Sequence, residues 1–301
     1  MEKTIEGIIV PILTPITEEE TPCLLQLKEL TNYVIAGGVN AIFANGTTGE
    51  FARFSKEERG EILCSIVEAA RGRVPVLAGV SDCGTKKVLA NIRRAEEAGA
   101  DAVATTLPYY FPTTSVKEQI DFIREVTLST ELPVILYHIP ATVGSHLSER
   151  ALDEVWELPN LYGIKDSSGD KDCLDRLLER YGERLRIFVG DEKLSYYGLR
   201  HGVKGLVPSL ANPFPKVLAA AWKAAGKKDW EECKAHCELV NTMNELNSFS
   251  DSWMSPNIWR KEALKQMGIM EAAFTRPYTP LSEEDKRKVS GWISYYKEYY
   301  A

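Results

Sequence analysis

Eight short apolar runs, separated by helix-like segments, organise this 301-residue chain. They lie at Gly7–Leu13, Asn40–Asn45, Val74–Val80, Asp101–Thr106, Pro133–Ile139, Leu161–Lys165, Leu185–Val189 and Val203–Val207. Each is mostly β-branched or otherwise apolar, without strict alternation, which is how a strand buried on both faces reads. Amphipathic stretches fill the gaps. Leu24, Leu27, Leu30 and Val34 share one helical face, with Thr21-Pro22 placed as N-cap and first helical residue and Gly37-Gly38 as the stop. Ser55 to Glu58 and Ser115 to Glu118 have the capping-box spacing, so both open helices. Strand and helix alternating at a period of about 25 to 35 residues imply parallel βαβ units. A set of eight favours the α/β class in its closed form, a (β/α)8 TIM barrel, over an open doubly wound sheet. No G-x-G-x-x-G follows the first run, so a dinucleotide fold is not expected.

After Pro213 the pattern is helical only, at about Pro213–Ala225, Trp230–Asn247, Ile258–Met267 and Glu283–Tyr299. The first of these completes the barrel. The other three form a C-terminal appendage, so the expected division is a barrel over 1–226 and a helical appendage over 227–301. A net charge of −7 without a Lys/Arg cluster makes nucleic acid and anionic membrane poor partners. No apolar run approaches the roughly 18 residues of a membrane span, and residues 1–15 do not read as a signal peptide. The six cysteines are scattered, which reads as reduced thiols in a cytoplasmic protein. Cys233, His236 and Cys237 have no second ligand pair to complete a metal site, and a surface-helix coincidence accounts for them.

In a (β/α)8 barrel, chemistry sits at the C-terminal ends of the strands. Lys165 closes the sixth run, where a desolvated amine has the character of a Schiff-base nucleophile. Taken alone, it reads better as a barrel-mouth lysine paired with Asp166 or another carboxylate. Tyr137 ends the neighbouring strand, within reach of that amine, and a phenol there can shuttle protons during carbinolamine formation. Gly46-Thr47-Thr48-Gly49 is a tight strand-to-helix turn offering hydroxyls and backbone N–H groups to a small anion such as a carboxylate. His138 follows Tyr137 by one residue and points to the other face, which favours a packed or hydrogen-bonded role. Asp191-Glu192 also reads as an N-cap and first-turn carboxylate, and Tyr109-Tyr110 as a rim aromatic pair.

Together, Pro11-Ile12-Leu13-Thr14-Pro15, Gly46-Thr47-Thr48-Gly49-Glu50, Tyr137-His138-Ile139-Pro140 and Gly163-Ile164-Lys165-Asp166 resemble the pyruvate-dependent class I aldolases of the dihydrodipicolinate synthase/N-acetylneuraminate lyase type, over the whole chain. The resemblance implies a barrel with three C-terminal helices, assembled as a homotetramer built from two dimers. It implies that Lys165 forms the Schiff base with pyruvate or another 2-keto acid and that Tyr137 moves the proton. Thr47 would link Tyr137 to a tyrosine from a neighbouring subunit, the position matched by Tyr110. Thr48 would hold the carboxylate and Val207 would lie against the bound pyruvate, with neither metal nor organic cofactor. Synthases of the family carry a carboxylate-gripping arginine where this chain has Thr142. Ser167, Gly190, Asp191, Glu192 and Ser209 match polyol-binding positions of the sialate lyases. The expected substrate is therefore a 2-keto-3-deoxy sugar acid or an acylneuraminate. A synthase condensing pyruvate with aspartate semialdehyde is the alternative, and a catalytically silent keto-acid-binding homologue a further one.

Overall fold

The computed structural model describes residues 4–249 and 255–300. Eight parallel strands close into a barrel in sequence order: β1 (Gly7–Pro11), β2 (Ala41–Ala44), β3 (Val76–Gly79), β4 (Ala102–Thr105), β5 (Val134–His138), β6 (Leu161–Asp166), β7 (Arg186–Val189) and β8 (Gly205–Leu206). All eight expected runs become strands, seven of them shortened where the chain turns into a loop and the sixth extended by one residue to Asp166.

Alternate side chains of these strands build two cores. Ile9, Ala41, Phe43, Leu77, Ala102, Ala104, Ile135, Tyr137, Phe188 and Val207 fill the inside of the barrel. Their neighbours, among them Ile8, Val10, Ile42, Val103, Leu136 and Ile164, face outward into a larger core shared with the helices. From the helix Leu24–Ala36, Leu27, Leu30 and Val34 are fully buried in that outer core, and burial of each such side chain contributes roughly 1.5–3 kcal/mol. Strand register then decides which polar residues meet. Tyr137 lies opposite Lys165 across β5 and β6, and His138 opposite Asp166. The first pair points into the barrel and the second away from it.

Helix starts hold two local corrections. The first helix begins at Leu24, with Cys23 at the cap and no side-chain cap bond. Thr21 is instead engaged with Thr17 at 2.9 Å, and Pro22 bridges Ile16, so both belong to a turn before the helix. The reciprocal capping box forms at Ser55 and Glu58, whereas Ser115 occupies the cap position without a side-chain bond.

The C-terminal helices are Pro215–Gly226, Trp230–Met243, Ser255–Gln266 and Glu283–Tyr300. The expected helix over Trp230–Asn247 ends at Met243, and a tighter 3-10 turn over Asn244–Phe249 follows. Cys233, Cys237, Val240 and Met243 form the buried face of Trp230–Met243. Those cysteines therefore serve packing rather than a surface, while His236 faces Glu232 at 3.7 Å. The helix Ser255–Gln266 is unusual in burying two cations, Arg260 and Lys261, beside Trp259 and Leu264. Lys261 Nζ lies 2.7 Å from Glu50, Asn257 donates to the Thr48 carbonyl at 2.9 Å, and Arg260 reaches Glu192 at 3.3 Å. Three side chains of one helix thus tie the appendage to the rim after β2 and β7. Among the described residues, no helix is long and apolar enough to cross a membrane.

Candidate active site

Lys165 is buried near the end of β6 with its side chain inside the barrel. Its ammonium sits 3.6 Å from the centre of the Tyr137 ring and 5.2 Å from that of Phe43. Cation–π attraction to two ring faces offsets part of the desolvation that a buried amine suffers. Asp166 does not pair with it. That carboxylate turns outward to His138 Nδ1 at 2.9 Å and accepts from Ser168 Oγ at 3.0 Å. His138 is thus held behind the barrel wall, with Cys173 Sγ at 3.9 Å, and takes no part in the inner site.

Room for the Lys165 side chain depends on Gly190. A methyl group there would meet Ser167 Oγ at 1.9 Å and Lys165 Cε at 3.0 Å. Glycine is required because two side chains crowd its Cα, whatever its dihedral angles.

Tyr137 packs edge-on to Phe43, with ring centres 6.0 Å apart, and its hydroxyl lies 3.4 Å from Thr47 Oγ1. Burial by itself pushes the phenol up. The Lys165 charge and hydrogen bonds from Lys165, Thr47 and Ser167 outweigh it, holding Tyr137 below its ordinary value. A phenol tuned downward beside an amine is suited to giving and taking a proton.

Above this pair, the turn Gly46–Glu50 is set by left-handed backbone at Asn45 and Glu50, with φ of 52° and 57°. Asn45 Nδ2 donates to the Arg59 carbonyl at 2.9 Å and Thr14 Oγ1 to the Gly49 carbonyl at 2.8 Å. Glu50, buried, accepts from Lys261 and from Thr275 Oγ1, each at 2.7 Å. The N–H groups of Thr47 and Thr48 meet no acceptor among the described residues. A turn with free N–H groups next to an ammonium has the chemistry to receive a small carboxylate.

Thr47, Thr48, Tyr137, Lys165, Ser167, Gly190, Asp191, Glu192, Val207 and Ser209 all line one cavity of about 820 Å³. Asp191 also caps the turn Glu192–Leu194, accepting from the Lys193 N–H at 2.9 Å. Two expected residues lie elsewhere. Tyr110 is 81% exposed with φ of 73°, its ring edge-to-face with the exposed Phe111. Thr142 is exposed on the short helix Pro140–Val143 and does not line the cavity.

The far wall was not anticipated from the sequence. It comes from the appendage, through Asn241, Asn244, Glu245, Asn247, Ser248, Asn257 and Arg260, with Lys193 from the rim. A signal was present: Asn241, Asn244 and Asn247 recur every third residue, a polar stripe on a helical segment. Lining cations and anions balance, with Lys165, Lys193 and Arg260 against Asp191, Glu192 and Glu245. Amides and hydroxyls therefore set the character of the wall.

A model of the dihydrodipicolinate synthetase family matches residues 4–295. A 4-hydroxy-tetrahydrodipicolinate synthase of Azoarcus sp. (strain BH72) is 32% identical over 280 residues, which is 93% of this chain and 94% of that one. A synthase of the same name from Geotalea uraniireducens (strain Rf4) is 31% identical over 300 residues, 98% of each chain. Among solved structures, the chloride-inhibited dihydrodipicolinate synthase of Acinetobacter baumannii, complexed with pyruvate, matches with a TM-score of 0.90 at 27% identity, over 98% of this chain and 99% of that one. The barrel, its C-terminal helices and these likenesses agree: the chain belongs to the dihydrodipicolinate synthetase family of class I aldolase-type lyases.

Proposed function

We propose that this enzyme cleaves a 2-keto-3-deoxy sugar acid, or an acylneuraminate, to pyruvate and an aldehyde through a Schiff base on Lys165. The observation that carries this reading is the meeting of three elements on one cavity floor. They are the Lys165 ammonium over the Tyr137 ring, the Tyr137 hydroxyl against Thr47, and the open N–H groups of the Thr47-Thr48 turn.

In this reading the substrate carboxylate binds the turn, which brings C2 to Lys165. The Tyr137 phenolate takes a proton from the Lys165 ammonium, and the neutral amine attacks the C2 carbonyl. Tyr137 returns the proton to the carbinolamine hydroxyl, which leaves as water and gives an iminium. Tyr137, as phenolate, takes the proton from the C4 hydroxyl. The C3–C4 bond then breaks, its electrons pass to the iminium nitrogen, and the aldehyde departs. The resulting enamine takes a proton at C3, and water releases pyruvate and the free amine. In this sequence of steps pyruvate leaves last, and the solved Acinetobacter baumannii structure is of a complex with pyruvate. Val207, buried just after β8 and lining the cavity, supplies an apolar surface for the pyruvate methyl group.

Ser167, Gly190, Asp191, Glu192 and Ser209 line the cavity beyond Lys165, where the hydroxyl-bearing part of the substrate would extend. Tyr110, exposed and backed by Phe111, is free to reach a neighbouring subunit, and a homotetramer of two dimers is part of the proposal. A second reading, condensation of pyruvate with aspartate semialdehyde, is favoured by the names of the relatives at 31–32% identity. Thr142 weighs against it. An exposed hydroxyl replaces the bidentate guanidinium that would hold the semialdehyde carboxylate. The test is a turnover panel. Pyruvate released from keto-deoxy sugar acids, faster than pyruvate is consumed with aspartate semialdehyde, is the expected result, and the reverse order overturns the lyase reading. A Thr142→Arg variant with unchanged preference would remove Thr142 as the discriminating position.

A further inference from the structure

Among the described residues, one group of three side chains has metal-ligand spacing: His138, Asp166 and Cys173. One ligand atom of each lies within 4.8 Å of the other two. The group stands behind the barrel wall, and the chemistry at Lys165 uses none of it. Asp166 Oδ1 is 2.9 Å from His138 Nδ1, and Cys173 Sγ is 3.9 Å from the same nitrogen. His138 Nε2 has no partner among the described residues, so Nδ1 is the polar anchor of the ring and faces the other two groups. A His–Asp pair alone does not call for a sulfur beside the same nitrogen.

The donors name the class of ion. One imidazole nitrogen, one carboxylate oxygen and one sulfur suit Zn²⁺, whereas Mg²⁺ and Ca²⁺ take oxygen ligands. With bonds of about 2.3 Å to sulfur and 2.0–2.1 Å to nitrogen and oxygen, tetrahedral ligands stand roughly 3.3–3.6 Å apart. The nitrogen–sulfur separation is slightly longer than this and the nitrogen–oxygen separation slightly shorter, so small shifts seat the ion. The carboxylate already has outer support of the kind that orients metal ligands. Asp166 Oδ2 accepts from Ser168 Oγ at 3.0 Å, and Oδ1 from the Ser168 N–H at 3.2 Å. A cavity of about 620 Å³ borders His138, Ser168 and Cys173 and shares no lining residue with the one at Lys165. It offers the ion a way in and a water for the fourth position.

We propose that His138, Asp166 and Cys173 bind one Zn²⁺ ion, which clamps β5 and β6 to the helix Lys171–Tyr181. Binding converts the thiol to a thiolate and leaves Nδ1 without its proton. His138 and Asp166 follow Tyr137 and Lys165 in one register, so the ion ties the two strands together just behind the inner pair. Its binding does not depend on the Schiff-base reading of Lys165.

The test titrates the full chain, freed of metal by a chelator, with Co²⁺ as a spectroscopic stand-in for Zn²⁺. The wild type is expected to take up one Co²⁺ per chain, with a thiolate-to-cobalt charge-transfer band and the intense visible absorption of a four-coordinate ion. One equivalent of Zn²⁺ should bleach both. Losing an outer-shell partner costs about 10–100-fold in metal affinity, so Cys173→Ser, which loses a ligand, should weaken Zn²⁺ binding at least about a hundredfold and abolish the thiolate band. A double variant, Cys64→Ser with Cys83→Ser, removes the two exposed thiols and should change neither. No band in the wild type, a band that persists in Cys173→Ser, or one lost in the double variant overturns the proposal. If Cys173→Ser does not fold, X-ray absorption of the cobalt-loaded double variant decides. One sulfur among nitrogen and oxygen ligands is expected there, and a shell without sulfur overturns the site.

Discussion

Lys165 and Arg260 are cations lining one cavity, yet the fold supplies them in different ways. Lys165 stands near the end of a barrel strand; strand register sets Tyr137 of β5 opposite it, and the left-handed turn after β2 brings Thr47 to the Tyr137 hydroxyl. Arg260 stands on a helix outside the barrel and meets Glu192 only because the appendage folds back over the rim. The floor is rigid, closely packed and dominated by two aromatic rings. The far wall is amide-rich, with long hydrogen bonds around Arg260. We propose that bond-making belongs to the barrel floor and that substrate choice is shared between the barrel rim and the appendage. Variants on the floor should stop chemistry for every substrate, and variants on the wall should reorder substrates.

The largest effect is expected from Lys165→Met, which removes the nucleophile while keeping its length and apolar stem. Turnover should fall about a thousandfold or more for short and long keto acids alike. A loss confined to long substrates would break the division between floor and wall. Gly190→Ala comes next. The added methyl would stand 1.9 Å from Ser167 Oγ and 3.0 Å from Lys165 Cε, so Ser167 must move and the Lys165 stem must give slightly, and kcat should drop by about tenfold. Unimpaired turnover would mean that this crowding relaxes freely.

The smallest expected effect is a shift along the pH axis. Tyr137 is held below its ordinary value, and in the proposed mechanism its phenolate accepts the C4 proton. Cleavage should therefore rise with pH and reach half its maximum below the usual tyrosine value of about 10. Thr47→Val deletes one hydrogen bond that favours the phenolate, so the limb should move to higher pH, by less than about one unit. A pH–rate profile of kcat/KM reads this, and an acidic shift would contradict the assigned role of Thr47.

The same contrast explains what the sequence disclosed. The eight strands were legible because burial on both faces leaves continuous apolar runs, and a barrel confines function to strand ends. Lys165, Tyr137 and the Thr47-Thr48 turn followed from that rule, with the family resemblance supplying roles that spacing alone left open. Arg260, Asn241 and Asn244 were not legible. A helix three loops beyond the barrel has no register with a strand, and Arg260 reads there as an ordinary surface charge. Its burial depends on Glu192, which stands 68 residues earlier in the chain. Helix starts failed for a local reason, since Thr21 is engaged with Thr17 in a turn before it can act as a cap.

The central claim is a covalent bond between Lys165 and C2 of pyruvate. Incubating the protein with pyruvate, reducing with borohydride and mapping the product by peptide mass spectrometry reads that bond directly. The account predicts one reduced pyruvate per chain, on the peptide carrying Lys165, and none on a folded Lys165→Met variant. A folded wild-type protein that gains no adduct, or an adduct that persists in Lys165→Met, would contradict it.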